Sequence, residues 1–199
     1  MDIFPITTPT IIFVGSSIME GWFNLPQFFP NIPILNTAIG GTQTHEIHAR
    51  LDELVIRHRP RLVCYYCGSN DINNGASAAL IAANVRQTFT TLRQALPAAR
   101  FLYLSIIKAP QKRERWDVVD EVNRQLSEMA AQTPDFHFLD INPIFFTAQG
   151  EPRADFYVED QLHLTPAAYT AMGVFSSAMI HRLASQATTQ EAQQKGESL

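Results

Sequence analysis

Only two cysteines occur in the 199 residues, Cys64 and Cys67, so no second pair exists to complete a four-thiolate metal site. Their Cys-x-x-Cys spacing falls inside the strand-like run Leu62-Val63-Cys64-Tyr65-Tyr66-Cys67. Residues three apart on a strand point to opposite faces, so two buried core thiols are expected rather than a redox pair. Positive charge is also scarce: 15 Lys and Arg stand against 19 Asp and Glu, a net charge of −4. That leaves no basic footprint, and nucleic acid is not an expected partner. No apolar run exceeds six residues, far short of the ~20 that a bilayer-spanning helix needs, so no membrane insertion is expected. The start, Met1-Asp2-Ile3-Phe4-Pro5, has no basic region leading into an apolar stretch. No secretory signal is therefore read, and a cytoplasmic location is the expectation.

What is present is ordinary for a globular chain: 46% hydrophobic and 17% charged residues. This length can bury one sizeable core, and a single domain over residues 1–184 is expected. Short apolar runs at Ile11–Val14, Ile34–Leu35, Leu62–Cys67, Phe101–Ile107 and Phe136–Leu139 read as strands buried on both faces. Helical stripes alternate with them: Ile47, Leu51, Leu54 and Val55; then Ile81, Val85, Phe89 and Leu92; then Val119, Val122, Leu126 and Met129. A last helix should start at Thr165-Pro166, a capping hydroxyl followed by proline at the first helical position. Its stripe runs through Tyr169, Met172, Phe175 or Ser176, Met179 and Leu183. The stretch 185–199 has little to bury and is expected to be a disordered polar tail. Strands alternating with helices argue for an α/β three-layer domain with a parallel sheet. The glycine-bearing loops after the first three strands then converge on one sheet edge, where such folds bind ligands.

Those loops carry chemistry. Ile11-Ile12-Phe13-Val14 breaks at Gly15-Ser16-Ser17, a tight turn that can present a hydroxyl at the sheet edge. Far along the chain, Asp160-Gln161-Leu162-His163 puts a carboxylate beside an imidazole on one turn of chain. A serine hydroxyl is a weak nucleophile unless a base removes its proton, and histidine suits that task near neutral pH. An aspartate then fixes the imidazole tautomer and stabilises the imidazolium. The tetrahedral intermediate also needs donors aimed at its oxyanion, worth about 3 kcal/mol each. The Ser17 N–H, Gly41 and the Asn70 side-chain amide are the candidates. Such a set would account for acyl transfer, and neither a metal nor a cofactor is expected.

The same residues resemble the SGNH (GDSL-like) hydrolases, named for a serine, glycine, asparagine and histidine in successive blocks. Ser17 matches the first-block serine, Gly41 in Gly40-Gly41 the second-block glycine, and Asn70 in Gly68-Ser69-Asn70-Asp71 the Gly-x-Asn-Asp block. Asp160 and His163 match the Asp-x-x-His block, so the resemblance spans Gly15 to His163. It implies a three-layer α/β/α flavodoxin-like fold with a five-stranded parallel sheet. It further implies a Ser17, His163, Asp160 triad and an oxyanion hole from Ser17, Gly41 and Asn70. The chain looks nearest to platelet-activating-factor acetylhydrolase-like and small bacterial acyl esterases, particularly around Asn36–Gly41. The implied partner is a small-molecule ester, cleaved through an acyl-enzyme, and a homodimer would fit the family. One departure is Ser16, where the family often has aspartate; a local turn hydrogen bond from Ser16 is expected instead.

Other features carry less. Ser16 competes with Ser17 as nucleophile, and only the block alignment separates them. Asp71 reads as a structural partner holding its loop. His45-Glu46-Ile47-His48 has its histidines three apart rather than four, unlike the zinc-protease helix, and reads as a solvated helix start. Trp22 could line an acyl pocket or simply pack. Gly15-x5-Gly21 lacks the lysine of a phosphate loop. A non-catalytic module or a mononucleotide (flavin) site on the same scaffold is the alternative, and Glu20 opposes a phosphate in that loop.

Overall fold

The structure is a computed structural model that describes residues 10–196. Five strands form one sheet: β1 (Ile11–Gly15), β2 (Ile34–Asn36), β3 (Leu62–Tyr66), β4 (Arg100–Leu104) and β5 (Phe136–Leu139). Their order is β2-β1-β3-β4-β5 and every pairing is parallel. This is the five-stranded parallel sheet of the flavodoxin-like fold, as expected. Each residue of β1, β3 and β4 is buried, which is why these strands read as unbroken apolar runs rather than alternating ones.

Helices cover both faces. Alternate β-strand residues Ile11, Phe13, Leu62, Cys64, Leu102 and Leu104 pack with helices α1 (Ser17–Glu20), α2 (Leu25–Phe28) and α8 (Pro166–Gly196). Their neighbours Ile12, Val14, Val63, Tyr65, Phe101 and Tyr103 face the other layer. That layer holds α3 (Thr44–Ala49), α4 (Leu51–Leu54), α6 (Ala78–Ala95) and α7 (Trp116–Gln132). Cys64 and Cys67 belong to opposite layers, both buried and unpaired, as their spacing required.

Three local readings need correction. The stripe Ile47–Val55 is two short helices, because Arg50 leaves helical geometry at φ −113° and ψ 17°. The β4 strand stops at Leu104, although Ile106 and Ile107 remain buried beyond it. The last helix runs past Ala184 to Gly196, through a stretch rich in the good helix formers Ala, Gln and Glu. In its stripe the fully buried residue is Ser176, while Phe175 is exposed. Residues 197–199 of the expected tail lie outside the described residues.

From β1 the chain moves outward to β2, then crosses back over β1 to β3. Strand order therefore reverses between β1 and β3, and the crevice beyond their carboxyl ends is where such a sheet binds ligands. Approach there is so close that a Cβ on Gly15 would overlap the Tyr66 carbonyl oxygen. No helix among the described residues is long and apolar enough to cross a membrane.

Candidate active site

Ser17 stands at the β1/β3 switch point as the first residue of α1. Ser16, just before it, is the buried helix cap, extended at φ −100° and ψ −162°. The turn is closed by its backbone carbonyl, which accepts from the N–H groups of Met19 (2.9 Å) and Glu20 (3.0 Å). The expected hydrogen bond from the Ser16 side chain is not made. Ser17 is left half-buried with its hydroxyl turned outward.

The histidine comes from the loop before α8. An antiparallel bridge between Tyr157 and Leu164 pins the loop's two ends. Val158 N–H donates to the His163 carbonyl at 2.9 Å, and Gln161 adopts a left-handed φ of 59° to turn the chain. A second clamp is the Gln111 N–H donated to the Gln161 carbonyl at 3.1 Å. Inside the turn, Asp160 Oδ1 accepts from the N–H groups of Leu162 and His163, each at 2.9 Å. Its Oδ2 faces His163 Nδ1 at 2.5 Å, and His163 Nε2 lies 2.9 Å from Ser17 Oγ. The bond from the His163 ring, helped by the two backbone donors, lowers the Asp160 carboxyl to about 2. An ionised carboxylate can only accept, so Nδ1 carries the proton and Nε2 is left to accept from the Ser17 hydroxyl. That is the tautomer a general base requires.

The loop after β2 closes the other side. Thr37 N–H donates to the Phe13 carbonyl (2.8 Å) and Ile39 N–H to the Gly15 carbonyl (3.0 Å), continuing the ladder beyond β2. Gly41 has a φ of +80° with open space where a Cβ would stand, so backbone geometry rather than crowding calls for glycine there. Asn70 lies in α5 (Ser69–Asn73) and donates its amide to the Thr42 carbonyl at 2.9 Å, which brings it to the Gly41 segment. Neither the Ser17 N–H nor the Gly41 N–H has a hydrogen-bond partner among the described residues.

Asp71 holds this loop from beneath. It is buried, and both its carboxylate oxygens accept from Thr44 N–H at 3.1 and 3.0 Å. Oδ1 also accepts from Thr44 Oγ1 at 2.5 Å. Asp71 thus seats the start of α3, three residues past Gly41. Glu46 accepts from the Gln43 N–H (2.7 Å) in a capping box, so His45-Glu46-Ile47-His48 is a helix start. No group of three metal-binding side chains forms among the described residues. Trp22 is core, 1% exposed and edge-on to Phe13. Sequence reasoning missed the Gln111 clamp on the histidine loop and the buried Lys112 beside it. Neither has a motif; both follow from how the 110–115 segment packs.

An α/β/α sandwich with a serine, histidine and aspartate bonded in series at its switch point has the parts of an acyl-transferring hydrolase. The chain belongs to the GDSL-like lipase/acylhydrolase family, whose model matches residues 13–171. Among solved structures it is similar to a platelet activating factor candidate from Streptococcus pneumoniae, at 21% identity and TM-score 0.77. That match covers 91% of this chain and 86% of the other. A candidate acylhydrolase from Bacteroides fragilis matches at 21% identity and TM-score 0.76, covering 90% and 92%. A catalytic mutant of an acetylxylan esterase from Geobacillus stearothermophilus matches at 16% and 0.70, covering 87% and 93%. At these identities the likeness is one of fold. No curated protein matches the sequence.

Proposed function

We propose that the protein is a serine esterase that cleaves short-chain carboxylic esters through a covalent acyl-enzyme. The observation that carries this reading is the bonded series Ser17 Oγ, His163 Nε2, His163 Nδ1 and Asp160 Oδ2. Ser17 Oγ attacks the acyl carbon as its proton passes to His163 Nε2, and Asp160 stabilises the imidazolium. The carbonyl oxygen becomes an oxyanion facing the free N–H groups of Ser17 and Gly41 and the amide of Asn70. Collapse expels the alcohol, which takes the proton from His163. Water then attacks the acyl-enzyme with His163 again as base, and the acid leaves. Membership of an acylhydrolase family supports the reading, as does the Asp160 charge that selects the right tautomer. Between Leu139 and Asp160 the chain forms only two short 3-10 turns, Asn142–Phe145 and Ala154–Phe156, and no helix long enough to cover the site, which supports a preference for short acyl groups.

The test is hydrolysis of p-nitrophenyl acetate and its longer homologues by the wild type and Ser17→Ala. Saturable turnover lost in a folded Ser17→Ala is the expected outcome, with rates falling as the acyl chain lengthens. Undiminished turnover in the variant would remove Ser17 from the chemistry. Equal rates for long acyl chains would defeat the short-chain assignment.

A further inference from the structure

Glu20 is the only charged residue between Thr10 and Gln43, the whole stretch that carries β1, the candidate nucleophile and the Gly41 loop. It follows Ser17 by three positions and so lies on the same face of α1. Gly40 joins the two. A Cβ on Gly40 would lie 2.6 Å from Glu20 Oε2 and 3.7 Å from Ser17 Cβ. The carboxylate thus packs against the bare face of Gly40 on the side where Ser17 lies, an approach that a side chain at residue 40 would obstruct.

The carboxylate is solvent-exposed, and no hydrogen bond or ion pair engages it among the described residues. Its charge is felt by the buried Tyr169 phenol, which sits behind Gly21. The nearby Asp160 is different: its charge is already met by the His163 ring and two backbone N–H groups. An unmet negative charge beside a nucleophile attracts cationic or hydrogen-bond-donating groups and repels anions. Because it borders the loop that carries Gly41, it faces whatever the ester presents around its carbonyl.

We infer that Glu20 is a specificity-determining residue, a carboxylate that selects cationic or hydroxyl-bearing esters and excludes anionic ones at the Ser17 site. The inference rests on the esterase reading above. It adds a role for a side chain that the acyl-transfer steps do not use, and it names the substrate class by charge.

Three acetate esters differing only in the leaving group's charge make the test: 4-acetoxybenzoate, its neutral methyl ester, and the 4-acetoxy-N,N,N-trimethylanilinium ion. Intrinsic leaving-group reactivity cancels when each kcat/KM is compared between the wild type and Glu20→Gln. Removing one charge about 6 Å away changes the rate for a charged ester about fivefold, so the anion-to-cation ratio should rise ~25-fold. Glu20→Asp retains the charge and should keep the ratio within a few-fold of wild type, which separates charge from local damage. In the wild type alone, raising the salt from ~20 to ~500 mM should raise the same ratio, because the Debye length then shortens below the separation. A ratio unmoved by Glu20→Gln and by salt, in an enzyme that Ser17→Ala inactivates, would overturn this inference and leave the esterase reading standing. Turnover that survives Ser17→Ala would overturn both.

Discussion

Asp71 offers a measurable link between loop architecture and activity. Its buried carboxylate accepts three hydrogen bonds from one residue, two from Thr44 N–H and one from Thr44 Oγ1. Asp71→Ala removes a charged acceptor, whose hydrogen bonds contribute about 1.5–3 kcal/mol. It also strands a backbone donor: Thr44 is fully buried, and its N–H would have no other partner. The Thr44 hydroxyl keeps Asn84 Nδ2 as a donor at 2.9 Å and so is only partly orphaned. The two contributions overlap, and the net cost is about 3 kcal/mol. For a chain of this size that corresponds to a drop of roughly 6–12 °C in Tm. Urea unfolding followed by circular dichroism reads it directly, with an unchanged m-value showing that two-state behaviour holds. Because the same bonds seat the segment after Gly41, kcat should fall more than KM rises. The double variant with Thr44→Val should be less destabilised than the two single changes added together, since both act on one contact. A loss below about 1 kcal/mol for Asp71→Ala would refute the claim that this carboxylate holds the loop.

Two further predictions concern ionisation. With its carboxyl lowered to about 2, Asp160 stays charged through the ordinary acid range, and any stability tied to its charge is lost progressively as the pH falls from about 4, where the unfolded carboxyl takes up its proton, to about 2. Asp160 should therefore contribute no proton of its own to the acid limb of kcat/KM across that range. Asp160→Asn should lower kcat by roughly 10³–10⁴ with the fold retained, and a limb steeper than one proton would count against the assignment. Lys112 is buried, with Nζ donating to Asn73 Oδ1 (2.7 Å) and Gln111 Oε1 (3.1 Å), and burial pushes its ammonium down to about 8. The folded state then releases this proton near pH 8 while the unfolded chain holds it to about 10.4. In that window the unfolded state binds more protons, so stability contributed at this site rises with pH. Thermal unfolding of the wild type and Lys112→Met from pH 7 to 10 should show the wild type gaining on the variant as pH rises. A difference independent of pH would refute the burial argument.

Much of this architecture was legible in one dimension because burial on two faces leaves a plain mark. The runs at Ile11 and Leu62, and the Phe101–Leu104 part of the third, carry no charged residue or other strongly polar group that would seek water, and they became the three central strands of the sheet. The stripes at Ile81 and Val119 became α6 and α7 whole, since nothing in them disturbs a 3.6-residue period. The Ile47–Val55 stripe kept its apolar spacing while its backbone broke at Arg50, because periodicity records which side chains are buried and not whether the helix between them is continuous. The family blocks likewise marked Ser17, Gly41, Asn70, Asp160 and His163 as residue types in order.

Sequence by itself thus determined the layered α/β class, the family and the short list of chemically able residues, since each depends on local pattern or ordered motifs. Between the two adjacent serines the family blocks pointed to Ser17, and tertiary structure gives the physical reason. Ser16 turns inward as a buried cap, and Ser17, one residue on, faces His163 from 146 positions away. Tertiary structure alone decided that Asp71 meets Thr44, that Lys112 is buried, and that Glu20 packs against Gly40 on the side where Ser17 lies. These are contacts between segments that only a parallel sheet, reversing its order between β1 and β3, brings to one edge. Hydrogen bonds and charges act over a few ångströms, and the chain order does not encode those distances until the crossovers have closed.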